Sequence, residues 1–158
     1  MYRRFLLILL VAHARHHSIR VSHFFFISDI LPFIFILFII ISFPEQGTNI
    51  EFQVIGDTQK DIFTIQIYRG KINLKKYEVS ARIFWNNVML LELHIDPGKI
   101  HINPDGTKIA GSHWHIYTEK YGRKMAFPAD DIQSDQFVRN TILFLDKFHV
   151  IEKPHINL

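Results

Sequence analysis

From Ile50 onward, apolar and polar side chains alternate with a period of two, the pattern of strands that bury one face. Residues 50–56 predict a short strand. In residues 61–68, Phe63, Ile65 and Ile67 alternate with Thr64, Gln66 and Tyr68, and Arg69-Gly70-Lys71 supplies a turn. Tyr77, Val79, Ala81, Ile83 and Trp85 alternate with Glu78, Ser80, Arg82 and Phe84. Asn86-Asn87 then offers the positive φ angles that a tight hairpin needs. The return strand spans residues 88–95, with Met89, Leu91, Leu93 and Ile95 expected to face a core and Leu90, Glu92 and His94 to face away. Two turns, Asp96-Pro97-Gly98 and Asn103-Pro104-Asp105-Gly106, bracket a short extended piece over 99–102. A strand carrying His113 and His115 follows.

The period changes after Pro128. Asp130, Asp131, Ser134 and Asp135 are N-cap candidates for a helix over about 135–148, where Phe137, Val138, Ile142, Leu145 and Phe148 form an apolar stripe and Arg139, Asn140 and Asp146 point elsewhere. Pro154 blocks its continuation. An antiparallel meander followed by one amphipathic helix predicts an α+β domain, the helix covering the apolar face of the sheet and the other face left uncovered. Trp85 and Trp114 are assigned to the core.

With no bulge, strand parity gathers Arg82, Glu92, His94, His113, His115, Tyr117 and Glu119 on that second face; one bulge would flip part of the set. Two chemistries use these residues. Side chains two apart on a strand are about 6.6 Å apart, so His113 and His115 can converge on a zinc ion, with His94, His101 or Glu92 as a third ligand. Without metal, one histidine can activate a ribose hydroxyl while another histidine or Tyr117 protonates the leaving oxygen, Arg82 holding the phosphate and Glu119 on the same face. A protein of a mobile-element or toxin and antitoxin setting that acts on RNA, by a ribonuclease-like activity without cofactor, or binds RNA through this face is the leading functional expectation. A non-catalytic module that binds a cognate protein partner through an exposed strand edge is its alternative, and a membrane-anchored binding domain is the third functional reading. The 103–106 stretch is read as turn geometry rather than chemistry.

Residues 1–46 have another composition: four arginines, two acids, no lysine and more than half of the phenylalanines. Three readings compete. Residues 1–14 resemble a secretory signal, and residues 24–43 have the length of a membrane span, with arginines before it favouring an N-in orientation. The third reading, a misassigned start or shifted frame, is favoured, which makes residues 47–158 a single cytoplasmic domain. That body carries fourteen basic and thirteen acidic side chains, so the formal charge of +3 belongs partly to the leader and no broad basic patch is expected. The chain has no cysteine, which excludes disulfides, thiol catalysis and cysteine-ligated zinc. No Gly-rich phosphate loop, nucleophile elbow or His-Glu-x-x-His helix is present.

Gly56-Asp57-Thr58, Tyr68-Arg69-Gly70-Lys71-Ile72-Asn73, Leu91-Glu92-Leu93-His94-Ile95, the stretch His101-Ile102-Asn103-Pro104-Asp105-Gly106, Gly111-Ser112-His113-Trp114-His115-Ile116-Tyr117 and Phe127-Pro128 carry a resemblance to an uncharacterised family of small bacterial and prophage proteins. The resemblance covers about 51–156 and implies no established activity. Its members begin with a polar helix, from which residues 1–46 depart. A looser likeness, confined to a His-rich strand after a turn and a following helix, is to TumE-type toxins of toxin and antitoxin pairs; it implies RNA as the target by analogy only.

Overall fold

The computed structural model describes residues 40–158 apart from Gln59 and Leu74. The expected signal sequence and most of the expected membrane span lie outside the described residues. Among the described residues, no helix is long and apolar enough to cross a membrane.

Six strands form one antiparallel sheet: β2 (Asn49–Ile55), β3 (Ile62–Arg69), β4 (Tyr77–Ile83), β5 (Met89–Ile95), β8 (His113–Ile116) and β9 (Ala126–Pro128), in that spatial order. Between β5 and β8 the chain makes a hairpin of β6 (Ile100–Ile102) and β7 (Lys108–Ala110), and it ends with helix α1 (Phe137–Lys147) and β10 (His155–Asn157). β10 pairs in parallel with β1 (Ile40–Ser42). The α+β architecture expected from the alternation is the one observed.

The period-two pattern becomes two faces. Rows of cross-strand neighbours such as Phe52, Ile65, Ala81 and Leu91, or Ile67, Val79, Leu93 and Trp114, pack against Phe144, Leu145 and Phe148 of and just after α1. This apolar burial supplies the main drive for folding. Phe43 also enters the core, edge-on to Tyr77 and against Phe137, with the Arg69 guanidinium over both phenylalanine rings. Residues 40–43 therefore pack with the body, although the composition placed them in the leader.

Several local expectations are corrected. The β4–β5 ladder shifts register between Ala81 and Arg82: Ala81 faces Leu91, but Arg82 faces Met89. Leu90 is the extra residue and packs on the core, while Met89 moves to the row of Arg82. Strand β4 stops at Ile83, because residues 84–86 turn into the hairpin and Asn87 takes φ +56°. Trp85 is consequently 67% exposed, against 5% for Trp114. The helix begins two residues later than expected, and its cap, Gln136, makes no side-chain capping bond. Its buried stripe includes Asn140, fully enclosed, whose Nδ2 donates to the Tyr77 hydroxyl and to the Gln133 carbonyl. Burial pushes that tyrosine up to about 12, the Asn140 bond opposing the shift.

The polar face is not bare. The β6–β7 hairpin folds back over it, fastened by Asn103: its Nδ2 donates to the Ala126 carbonyl at 3.0 Å and its Oδ1 accepts from the Ala126 amide at 2.7 Å. A side-chain amide thus reproduces one rung of a β-ladder.

Asn140→Ala strips the Tyr77 hydroxyl of its buried partner and should cost about 1–3 kcal/mol of unfolding free energy. Trp85→Ala should cost under about 1 kcal/mol. Urea denaturation of both variants measures this, and equal losses would contradict the assignment of the two side chains to inside and outside.

Candidate metal centre

Antiparallel pairing sets His94 of β5 opposite His113 of β8, and Glu92 opposite His115. Directly opposed side chains lie within about 5.5 Å at Cβ, so four polar groups meet on one patch of sheet. The hairpin adds a fifth, since the segment held down by Asn103 carries His101 onto the same patch. Ring centroids of His94 lie 5.2 Å from His113 and 4.7 Å from His115; those of His101 lie 5.3 Å and 4.8 Å from the same pair. His113 and His115 are 5.0 Å apart. Among the described residues, His94, His113 and His115 each bring a ring nitrogen within 4.8 Å of the others.

The hydrogen bonds define the tautomers. A carbonyl oxygen only accepts, so a ring nitrogen facing one carries the proton. His113 Nδ1 donates to the Gly111 carbonyl at 2.8 Å, and His115 Nδ1 to the Arg123 carbonyl at 2.9 Å. Both neutral rings therefore keep their lone pair on Nε2. His113 Nε2 is buried and has no hydrogen-bond partner among the described residues. His101 donates from Nε2 to the Lys124 carbonyl at 3.2 Å, which leaves Nδ1 as its lone-pair nitrogen. His94 differs: its Nδ1 accepts from the Lys99 ammonium at 3.4 Å, and its Nε2 lies 3.8 Å from Glu92 Oε1.

Electrostatics keep the two β8 histidines neutral. Burial, with the neighbouring His94 and His113, lowers His115 to about 4 against the pull of Glu92. Burial also lowers His113, opposed by its bond to the Gly111 carbonyl and reinforced by His94, Lys99 and His101. Burial would raise the Glu92 carboxyl, but the contacts with His94 and Arg123 outweigh it and hold it below the ordinary carboxylate value. Arg123 Nη1 donates to Glu92 Oε1 at 3.0 Å.

The patch is the floor of a cleft of about 540 Å³ lined by His94, His101, His115 and Glu92, with Lys99, Arg123 and Lys124 among the flanking residues. Of the side chains expected together from the sequence, His94, His113, His115 and Glu92 meet. Arg82, Tyr117 and Glu119 do not line the cleft. Arg82 lies on the polar face but toward the β2 edge, bonded to Glu51 and Asn87. β8 ends at Ile116, so Tyr117 and Glu119 leave the strand into the turn around Thr118 and are exposed. Lys99, Arg123 and Lys124 had no periodic signal to reveal them, since all three sit in turns; only the basic pair after Gly122 marked the place.

A model described as "Family of unknown function (DUF6978)" matches residues 36–150. The chain belongs to this family. The matched region of this DUF6978 protein contains every histidine of the cluster, the hairpin and α1. No curated protein and no solved structure matches the chain.

Because the fold holds His115 neutral while an unfolded chain takes up a proton near 6.5, stability is complete above that value and falls as the pH drops from about 6.5 toward 4. The groups facing the ring are Glu92, His94, His101, His113 and Arg123. Melting temperature in chelator should fall over this window, and His115→Gln should flatten the fall. An unchanged slope in the variant would overturn the assignment.

Proposed function

We propose that this domain binds a divalent transition-metal ion, zinc by ligand type, through His94, His113 and His115, with a further coordination position facing the cleft. The observation that carries this reading is the convergence of three ring nitrogens within 4.8 Å, together with Nδ1–H bonds to backbone carbonyls that leave the lone pairs of His113 and His115 on Nε2. Outer-shell carbonyl bonds of this kind fix the tautomer of a ligating histidine and raise its basicity. Zn–N bonds of about 2.0–2.1 Å place tetrahedral ligand atoms about 3.3 Å apart, so nitrogens already within 4.8 Å need only small ring movements to close on an ion.

Neutral imidazoles suit zinc, copper, iron and nickel, and the absence of thiolate ligands removes the soft, closed sites built from cysteine. Three protein ligands beside an open cleft are the arrangement of a catalytic rather than a purely structural centre. His101 borders the remaining position, and Glu92 stands behind His94, where a carboxylate can orient a ligating ring.

Cleavage of RNA by the same histidines without metal has weaker support. It needs one imidazole charged and reachable by a leaving oxygen, whereas the His113 ring is sealed from solvent and both β8 Nδ1 positions are spent on backbone carbonyls.

Titration of the full chain with cobalt(II), and competition by zinc, tests the centre. The expected result is one equivalent bound with a visible absorption band of low-symmetry coordination, and a rise in melting temperature with zinc excess. His94→Ala, at a half-buried position that leaves the core intact, should weaken binding by more than about 100-fold. Absence of saturable binding, or wild-type affinity in His94→Ala, would remove the proposal.

A further inference from the structure

Building on the metal centre proposed above, we infer that the cleft takes a phosphate group, as the free anion or within a phosphodiester, whose oxygens are shared between the bound ion and the side chains of Lys99, Arg123 and Lys124. The first support is charge. Among the described residues lining the cleft there are three basic side chains and one carboxylate, Glu92, which is already bonded to Arg123. The lining thus carries an excess of two positive charges, and a divalent ion doubles it. The body of the chain is otherwise close to neutral, so this potential is local to the cleft.

The second support is the position of Lys99. Its ammonium is half-buried and donates to the lone pair on His94 Nδ1. Metal binding removes that acceptor whichever nitrogen ligates: an ion at Nδ1 uses the lone pair, and an ion at Nε2 leaves Nδ1 protonated. Lys99 then faces a cation with no acceptor on His94, and a partly buried ammonium needs an anionic or hydrogen-bonding partner. The metal and the anion are therefore coupled through His94. Arg123 keeps Glu92 on one terminal nitrogen while its side chain is 61% exposed, which leaves other donors facing the cleft.

Phosphate fits better than carboxylate because the donors come from two separate segments, the turn before β6 and the turn before β9, in addition to the ion. A tetrahedral group can present an oxygen to each, whereas a carboxylate has two oxygens in one plane. Free phosphate and the phosphodiester of a single-stranded RNA share this chemistry.

The test is calorimetric titration of the zinc-loaded full chain with inorganic phosphate, with a short single-stranded oligoribonucleotide and with acetate. Saturable binding of phosphate or oligonucleotide is expected, weakened about tenfold in Lys99→Ala and in Lys124→Ala; zinc affinity stays at the wild-type value in Lys124→Ala, whereas Lys99→Ala, which frees the His94 lone pair, does not weaken it. Tighter binding of the oligonucleotide assigns the polymer as source, and equal affinities assign the free anion. Zinc binding without phosphate or oligonucleotide binding overturns the anion site alone, as do wild-type affinities in both lysine variants or acetate binding as tightly. Failure of zinc to bind in the same experiment overturns the centre itself and the anion site with it.

Discussion

The register between β5 and β8 is the constraint on which the candidate centre depends. Pairing Leu93 with Trp114 buries two large apolar side chains on the helix-covered face, and the same ladder then forces His94 against His113 and Glu92 against His115 on the other. A slip of one residue would carry the histidines into the core and the indole into the cleft. The hydrophobic effect on one side of the sheet thereby holds the polar constellation on the other. No dedicated scaffold beyond an ordinary buried sheet is needed to bring those four side chains together.

Much of this was legible in the chain, because period-two alternation is a direct record of which face is buried. It located the strands, placed Glu92, His94, His113 and His115 together and identified the C-terminal helix. It failed where the backbone departs from regularity. The bulge at Leu90 exchanged the faces of Met89 and Leu90, and the turn after Ile83 put Trp85 outside, since neither event leaves a mark in the hydrophobic pattern. Asn140 looked like a solvent-facing residue, yet its partner is the hydroxyl of a tyrosine distant in sequence. Nor could strand parity show that β8 ends at Ile116, which is why Tyr117 and Glu119 were expected in a cleft they do not reach.

The basic residues of the cleft were invisible for a related reason. Lys99, Arg123 and Lys124 belong to turns, whose side-chain directions are set by the particular dihedrals of each residue rather than by a repeat. His101 was named only as one option for a third ligand, and it arrives over β8 through a contact that sequence spacing does not encode. Turn chemistry explained the Gly106 end of the hairpin loop, with its φ of +87°, but the Asn103 end serves a tertiary purpose as well.

That purpose gives the cleft two walls of unequal stiffness. The floor, made by β5 and β8, lies inside a six-stranded ladder and moves only with the sheet. The arm bearing His101 is held by the two Asn103–Ala126 bonds and by the bond of His101 to the Lys124 carbonyl, side-chain contacts that add no rung to the main sheet. A ligand that engages His101 therefore pulls on these side-chain fastenings rather than on the ladder of the sheet.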